Sequence, residues 1–391
     1  MDSGAIFLTG SSGFVGMELL ARYLERTDRT IYALIRASDD EEAERRVSRA
    51  AQTVVAAADR YAGRLVPVRG DVTQPNLGLD PDTRERLAEE VTDVVHSAAS
   101  VSFNLPIDQA REINLHGTRR VLDLAEQCAA RGRGLRRLAH VSTAYVAGTH
   151  RGPFYEDDHD RGQEFNNSYE LSKWEAEKLV RSRAERVPTT VFRPSIVVGE
   201  HDSGWTPAFN VVYGPLRAYS RGSLTLVPGR RSAPADVVPV DYVADAIFEL
   251  SSRPEAAGET YALAAGPEAA EVGELIEMSA AAFGRRRALA LHPRVYSRAV
   301  HPWLLRRGSK SRRKALKRAE VYFPYFDVGA RFDTTAATRA LAPAGIRVPP
   351  LQSYFHSLVL FAQAADWGRR PITRVEARTG LDMPARETAV V

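Results

Sequence analysis

Six short apolar runs punctuate the first half of the chain: Ala5–Thr9, Thr30–Ile35, Leu65–Val68, Asp93–Ala99, Leu138–Ser142 and Thr189–Val198. Ile, Val, Leu and Ala dominate them, with little polar alternation, the pattern of strands covered on both faces. Between the runs lie stretches with helical spacing of apolar positions: Phe14–Arg26, Asp40–Ala62, Pro106–Arg131 and Tyr169–Arg186. This alternation of strand and helix predicts an α/β fold, a doubly wound parallel sheet of the Rossmann type. After Gly199 the rhythm breaks into a region dotted with Pro and Gly, His201 to Pro239. A helix near Asp241–Ser252, a strand near Glu259–Leu263 and a helix near Glu268–Phe283 follow, and mixed elements such as Leu351–Ala365 come last. The expected division is a sheet domain over 1–200, to which 237–265 return, and a smaller substrate-binding domain from 201–236 and 266–367. Residues 368–391 are expected to form a flexible tail. No internal repeat is present.

Composition narrows the class. Apolar residues make up 44% and charged residues 26% of 391 positions, the profile of a globular chain with a sizeable core. No run of 18 apolar residues exists, which argues against a spanning helix. The start, Met1-Asp2-Ser3-Gly4, lacks a basic stretch and does not read as a signal peptide, so a cytoplasmic location is expected. Cys128 is the only cysteine, which excludes an intramolecular disulfide and a cysteine metal cluster; among Leu124, Ala125 and Ala129 it is expected to be a buried, inert thiol. No His-Glu-x-x-His pair, Gly-x-Ser-x-Gly elbow or Walker lysine is present, so no metal site is expected. Charge is uneven: 13 Lys or Arg and no Asp or Glu fall between Arg285 and Arg318, leaving 40 basic against 49 acidic residues elsewhere. One basic segment is set on an otherwise acidic protein.

The first apolar run leads into Thr9-Gly10-Ser11-Ser12-Gly13-Phe14-Val15-Gly16 and then directly into a helical pattern. Glycines at this spacing allow a tight turn, close approach of a pyrophosphate and close helix–strand packing. The helix N-terminus behind them offers free N–H groups to phosphate. Thr9, Gly10, Ser12, Gly13, Phe14, Val15 and Gly16 are therefore candidate dinucleotide contacts. The second run ends at Arg36, where a carboxylate would accept from a ribose 2′-hydroxyl and an arginine suits a 2′-phosphate. Arg46, on the following helix, can reach back to the same phosphate, so the expected cofactor is NADP(H). Asp71, with Val72 behind it, closes the third run and is placed to accept from the adenine amino group, though Asp at a strand end is also a common turn residue. Ser97, Ala98 and Ala99 close the fourth run and are small enough to lie against the dinucleotide. His96, inside that run, reads as a core histidine.

Tyr169 and Lys173 are four residues apart in a helical stretch and so share one face. Thr143 ends the run one crossover earlier, where strand ends feed the ligand crevice. A hydride added to a carbonyl makes an oxyanion that needs a proton donor within hydrogen-bond reach. A phenol serves if a neighbouring ammonium and the oxidised nicotinamide lower its pKa, and a threonine hydroxyl holds the carbonyl oxygen. Thr143, Tyr169 and Lys173 are the candidate catalytic residues, the last two also candidate cofactor contacts.

With Thr9-Gly10-x-x-Gly13-x-x-Gly16, Thr143, Tyr169-x-x-x-Lys173 and Arg193-Pro194, the chain resembles the extended short-chain dehydrogenase/reductases over roughly residues 5–265. The resemblance implies that Pro194, Ser195 and Ile196 lie along the nicotinamide. Gly70-Asp71-Val72-Thr73-Gln74-Pro75-Asn76-Leu77-Gly78-Leu79, the stretch Val95 to Phe103 and Ser172-Lys173-Trp174-Glu175-Ala176-Glu177 resemble, more narrowly, the fatty acyl-CoA reductases and the thioester-reductase domains of carboxylic acid reductases. That likeness implies an NADPH-dependent reduction of an acyl thioester to an aldehyde, and in some members on to the alcohol. No adenylation or carrier region accompanies the motifs, so the acyl group is expected on coenzyme A or on a separate acyl carrier protein. The basic segment Arg285–Arg318 is expected to dock an acidic carrier; the phosphates of coenzyme A, an anionic membrane surface and a plain solvated helical face are the other readings, and nucleic acid is not expected. Two rival functions remain at this level: a ketoreductase, dehydrogenase or epimerase of the same class, and an NADP-sensing regulator without turnover.

Overall fold

The computed structural model describes residues 4–209, 211–307 and 310–380. Its centre is a seven-stranded sheet built from β1 (Ala5–Thr9), β2 (Ile31–Ile35), β3 (Leu65–Arg69), β4 (Val91–His96), β5 (Arg137–Val141), β6 (Thr189–Pro194) and β7 (Thr260–Leu263). All neighbours run parallel, in the order β7-β6-β5-β4-β1-β2-β3. The chain reverses its direction of growth between β1 and β4, and ligands of such sheets bind beyond the strand ends at that point.

Successive residues of β1 serve opposite faces, as a strand requires. Ile6 and Leu8 join a core with Leu20 and Leu24 of the helix Phe14–Arg26 and Val243 and Ile247 of the helix Val240–Ser251. Ala5 and Phe7 join a second core with Val121 and Leu124 of the helix Gly117–Ala130 and Val180 of the helix Ser168–Ser182. With both faces covered, the strands have no polar side to show, and each fully buried Leu, Ile or Phe contributes roughly 1.5–3 kcal/mol. Cys128 is fully buried in the second core, and burial lifts its thiol to about 12, as an inert thiol requires.

Several boundaries differ from the sequence pattern for local reasons. The fourth run leaves the sheet at Ser97, because β4 faces the crossing point there. The sixth run breaks at Ser195, and Ile196–Val198 pairs in parallel with Val237–Pro239 in a separate two-stranded sheet. The expected helix Pro106–Arg131 is interrupted by a wide turn over Glu112–His116 with i→i+5 geometry, a feature that often marks a functional region. A helix at Pro81–Glu90, started by Pro81 and capped by the Asp80 carboxylate on Thr83 N, was not predicted.

Beyond β6 lie two-stranded pairs, the helices Val272–Phe283 and Leu351–Ala364, and the turn Glu320–Phe326. The expectation of a flexible tail from 368 is corrected for 374–380. Those residues form the helix Arg374–Gly380, and the buried Arg374 reaches Glu200 Oε1 at 2.7 Å, Glu18 Oε1 at 3.1 Å and the Val54 carbonyl at 2.7 Å. Glu18 also pairs with Arg22 and Glu200 with Arg378 of the same short helix, so the docking completes a buried charge cluster. Residues 381–391, the rest of that expectation, lie outside the described residues. Among the described residues no helix is long and apolar enough to cross a membrane.

Candidate active site

The glycine loop joins β1 to the helix Phe14–Arg26. Gly10 has φ +77°, and a Cβ there would stand 2.7 Å from Ala98 N. A Cβ on Gly16 would stand 1.9 Å from the Gly10 carbonyl, so the helix could not approach the turn. Ser12 and Gly13 are exposed at the loop tip, Phe14 and Val15 are half-buried, and the helix starts at Gly13 with no side-chain cap and no acidic residue in its first turn. Its first N–H groups are left for an anion. This cradle fits the pyrophosphate of a nicotinamide dinucleotide. Thr9 departs from the expectation of a cofactor contact: its fully buried side chain bonds His96 Nδ1 at 2.8 Å and accepts from Ala98 N at 3.2 Å. It ties β1 to β4 beneath the crevice. His96 is completed by Thr118 Oγ1 at 2.9 Å, and burial lowers it to about 3, so it is a neutral core histidine as its position predicts.

Ser97, Ala98 and Ala99 lead out of β4 along the crevice, with Ser97 N held by the Thr9 carbonyl at 3.3 Å. Arg36 is exposed at the end of β2, and Arg46 Nη1 donates to its carbonyl at 2.5 Å, so both arginines converge on that strand end. Asp71 uses Oδ1 on Thr73 N at 2.9 Å, the turn role that competes with adenine recognition, and the Val72 carbonyl accepts from Arg120.

Asn167 starts the helix Ser168–Ser182 by accepting from Glu170 N at 3.0 Å. That helix presents Tyr169 and Lys173 one turn apart, toward the end of β5. Thr143 follows β5 and opens the short turn Ala144–Ala147, accepting from Tyr145 N at 3.2 Å and donating to the Pro194 carbonyl at 3.4 Å. That hydroxyl lies close enough to the Tyr169 phenol to act on its pKa. Ser195 is buried with its N–H on the Leu263 carbonyl, and half-buried Ile196 continues the same wall. The structure thus gathers Thr143, Tyr169, Lys173 and Pro194 at one strand end.

The electrostatics depart from the sequence expectation. Burial raises the Tyr169 phenol to about 12, with the neighbouring Thr143 hydroxyl opposing, and among the described hydrogen bonds Lys173 makes none to it. Lys173 Nζ instead donates to the Val141 carbonyl at 2.7 Å, and burial lowers its pKa to about 8 against the pull of Glu177. Lowering of the phenol therefore requires the cationic cofactor or a changed Lys173 contact. Sequence reasoning missed the supports of this helix. Asn114, in the wide turn, is buried and donates to Ser172 Oγ at 2.9 Å while accepting from Ser100 N at 2.8 Å. Phe103 lies 5.6 Å from the Tyr169 ring and stacks on Tyr325 at 5.0 Å. The only sequence signals were the Phe closing the stretch Val95–Phe103 and the aromatic cluster after the basic segment.

A glycine-cradled dinucleotide crevice, with Tyr and Lys one turn apart beside a strand-end Thr, defines an NAD(P)-dependent oxidoreductase of the extended short-chain dehydrogenase/reductase class. Residues 8–247 match the family model described as male sterility protein, an NAD-binding family, and the chain belongs to it. It is 30% identical over 281 residues to fatty acyl-CoA reductase wat of Drosophila melanogaster, covering 63% of this chain and 53% of that protein. A linear gramicidin synthase of Brevibacillus parabrevis is 29% identical over 279 residues, which are 70% of this chain and 5% of that protein. The chain spans about half the length of the fatty acyl-CoA reductases it matches. Among solved structures, the terminal R domain of the myxalamid PKS-NRPS biosynthetic pathway superposes with TM-score 0.80 at 30% identity, covering 95% of this chain and 94% of that one.

Proposed function

We propose that the protein is an NADPH-dependent reductase of acyl thioesters, taking an acyl group from coenzyme A or a carrier protein to the aldehyde. The observation that carries this reading is the convergence of Thr143, Tyr169 and Lys173 at the end of β5, with Lys173 one helical turn from the phenol. The bound nicotinamide supplies the hydride. Thr143 and Tyr169 hold the carbonyl oxygen, and Tyr169 gives its proton to the oxyanion as the carbon is reduced. The hemithioacetal then loses the thiol, leaving aldehyde. Near-complete mutual coverage with an R domain and the likeness to fatty acyl-CoA reductases support a thioester over a ketone or sugar.

NADPH over NADH is supported by the carboxylates after β2, each of which is already engaged. Asp39 caps Glu42 N at 2.7 Å, Asp40 faces Arg69 at 3.1 Å, Glu41 faces Arg45 at 2.6 Å and Glu42 accepts from Ser38. Arg36 and Arg46 remain to meet a 2′-phosphate. A carrier is supported by the basic segment, which borders a groove of about 440 Å³ lined by Arg151 and Arg294 together with Glu320 and Asp327.

The test is a Tyr169→Phe variant assayed with acyl-CoA, NADPH and a thiol-detecting reagent. Thiol release by the wild type should fall by about 10²–10⁴-fold, while NADPH binding, followed by its fluorescence, stays within a few-fold. Wild-type oxidation of NADPH with ketones alone, or undiminished turnover by the variant, would overturn the proposal.

A further inference from the structure

Glu170 follows Tyr169 in the chain, yet it takes no part in the hydride or proton transfer. It is fully buried, and none of the described ion pairs includes it. Three donors meet its carboxylate: Asn166 N at 2.8 Å, Asn166 Nδ2 at 3.0 Å and the Tyr325 hydroxyl at 2.7 Å. Asn167 Nδ2 donates to that hydroxyl at 2.9 Å, so the Tyr325 proton is directed at Glu170. A set made only of donors suits the ionised, acceptor-only form and works against burial, which raises the carboxyl.

At the third position of the helix Ser168–Ser182 a carboxylate serves as a cap and meets the positive end of the helix dipole. It would do so equally well in water, whereas enclosing it costs solvation. What enclosure adds is reach, because a charge held among aromatic rings is poorly screened. Phe103 lies 5.6 Å from the Tyr169 ring and stacks on Tyr325, and Tyr145 meets Tyr325 edge-on at 4.9 Å. Around the phenol stand Thr143 and Tyr145 from the turn after β5, Phe103 with Tyr322 and Tyr325 behind it, and Glu170 and Lys173 on its own helix. Of these only the last two carry charge, and Lys173 spends an N–H on the Val141 carbonyl. Burial raises the phenol most, the Thr143 hydroxyl opposes, and the Glu170 charge adds to burial.

Resting on the reductase reading, we propose that Glu170 sets the alkaline limit of the reaction: its buried charge keeps the proton on Tyr169 until the oxyanion takes it. It is a positioning residue, acting through Tyr169 without touching the substrate. The test replaces Tyr169 by 3-fluorotyrosine and follows the fluorine resonance against pH in the protein loaded with oxidised NADP, whose nicotinamide cation brings the phenol down. Glu170→Gln keeps the shape and an acceptor oxygen but removes the charge, which eases loss of the phenol proton. The titration midpoint should fall by about 0.5–1.5 pH units, and the alkaline limb of acyl-CoA reduction by the unlabelled variant should fall with it. Tyr325→Phe removes a hydrogen bond and leaves the charge, so it should move neither by more than about 0.3 pH units. The pair Glu170→Met with Tyr325→Phe removes the charge and its buried donor together; it should give the same fall as Glu170→Gln, and it covers a failure of that variant to fold. A midpoint unmoved by loss of the charge, or an equal fall in Tyr325→Phe, overturns the proposal and leaves Glu170 a helix cap. A lowered midpoint in a protein whose wild type reduces no thioester keeps the electrostatic role and overturns the reductase reading instead.

Discussion

At position 173 a primary amine is enclosed by protein, and it titrates accordingly. Burial takes Lys173 from its ordinary 10.5 to about 8, and the Val141 carbonyl and Glu177 only partly offset the loss of water. A lysine with a depressed folded pKa penalises the fold fully below that pKa. The penalty fades as pH rises from about 8 toward 10.5, where the unfolded chain binds more protons than the folded one. Lys173→Met should therefore raise apo stability at pH 7 by about 1–3 kcal/mol, and the gap should close above pH 8, as read by denaturant melts across pH. The same substitution should depress turnover, the mark of a group retained for function at a cost in stability. A variant less stable than wild type at pH 7 contradicts this account.

The helix Ser168–Ser182 is held in place by a buried charge cluster as well as by its apolar face. Glu177 is fully buried; burial alone would lift its pKa, but Arg193 at 2.6 Å and Arg181 at 2.9 Å bring it down to about 2. Ser142 Oγ donates to the same carboxylate at 2.7 Å, which ties β5, β6 and the helix together. Arg193→Ala should cost about 3–5 kcal/mol in a urea melt, because it leaves the buried carboxylate with only the half-buried Arg181 as a cation, whereas the double change Arg193→Met with Glu177→Leu should cost less. The cluster's contribution is present above pH 4.5 and is lost as pH falls toward 2. This cluster explains the Arg193-Pro194 pair, which the sequence offered only through resemblance. The six apolar runs, the glycine loop and the i, i+4 pair were legible because each depends on local periodicity or on a backbone that only glycine allows. The inward turn of Thr9, the Asn114–Ser172 bond and the Tyr325–Glu170 bond were not, because they join residues 87, 58 and 155 positions from their partners. Nor could spacing reveal that Lys173 selects a backbone carbonyl over the neighbouring phenol, a choice made by the tertiary position of β5.

Over the whole molecule, charge is segregated. The helices His301–Arg307 and Lys310–Ala319 carry Arg306, Arg307, Lys310, Arg313, Lys314 and Lys317 exposed, with exposed Trp303 under the Arg307 guanidinium at 5.4 Å. The side chains of Arg312 and Arg318 lie outside those described. Outside this segment the protein is net acidic, so the field it presents to an approaching anion is concentrated beside the Arg294 groove. Such a field raises encounter rates with an acidic partner and is screened over about 8–10 Å at ordinary ionic strength. A small thioester such as acyl-pantetheine, without a protein attached, has no charge for it to grip. Reversal at Arg313, Lys314 and Lys317 to Glu should therefore raise KM for a thioester on an acidic carrier protein by about three- to tenfold at low salt, with kcat little changed. The difference should shrink as salt is raised toward 0.5 M, and KM for acyl-pantetheine should stay put. Equal KM changes for both substrates would mean that the triple variant distorts the groove itself. No change for either would return these helices to a solvated surface and leave the acyl group to arrive by the groove alone.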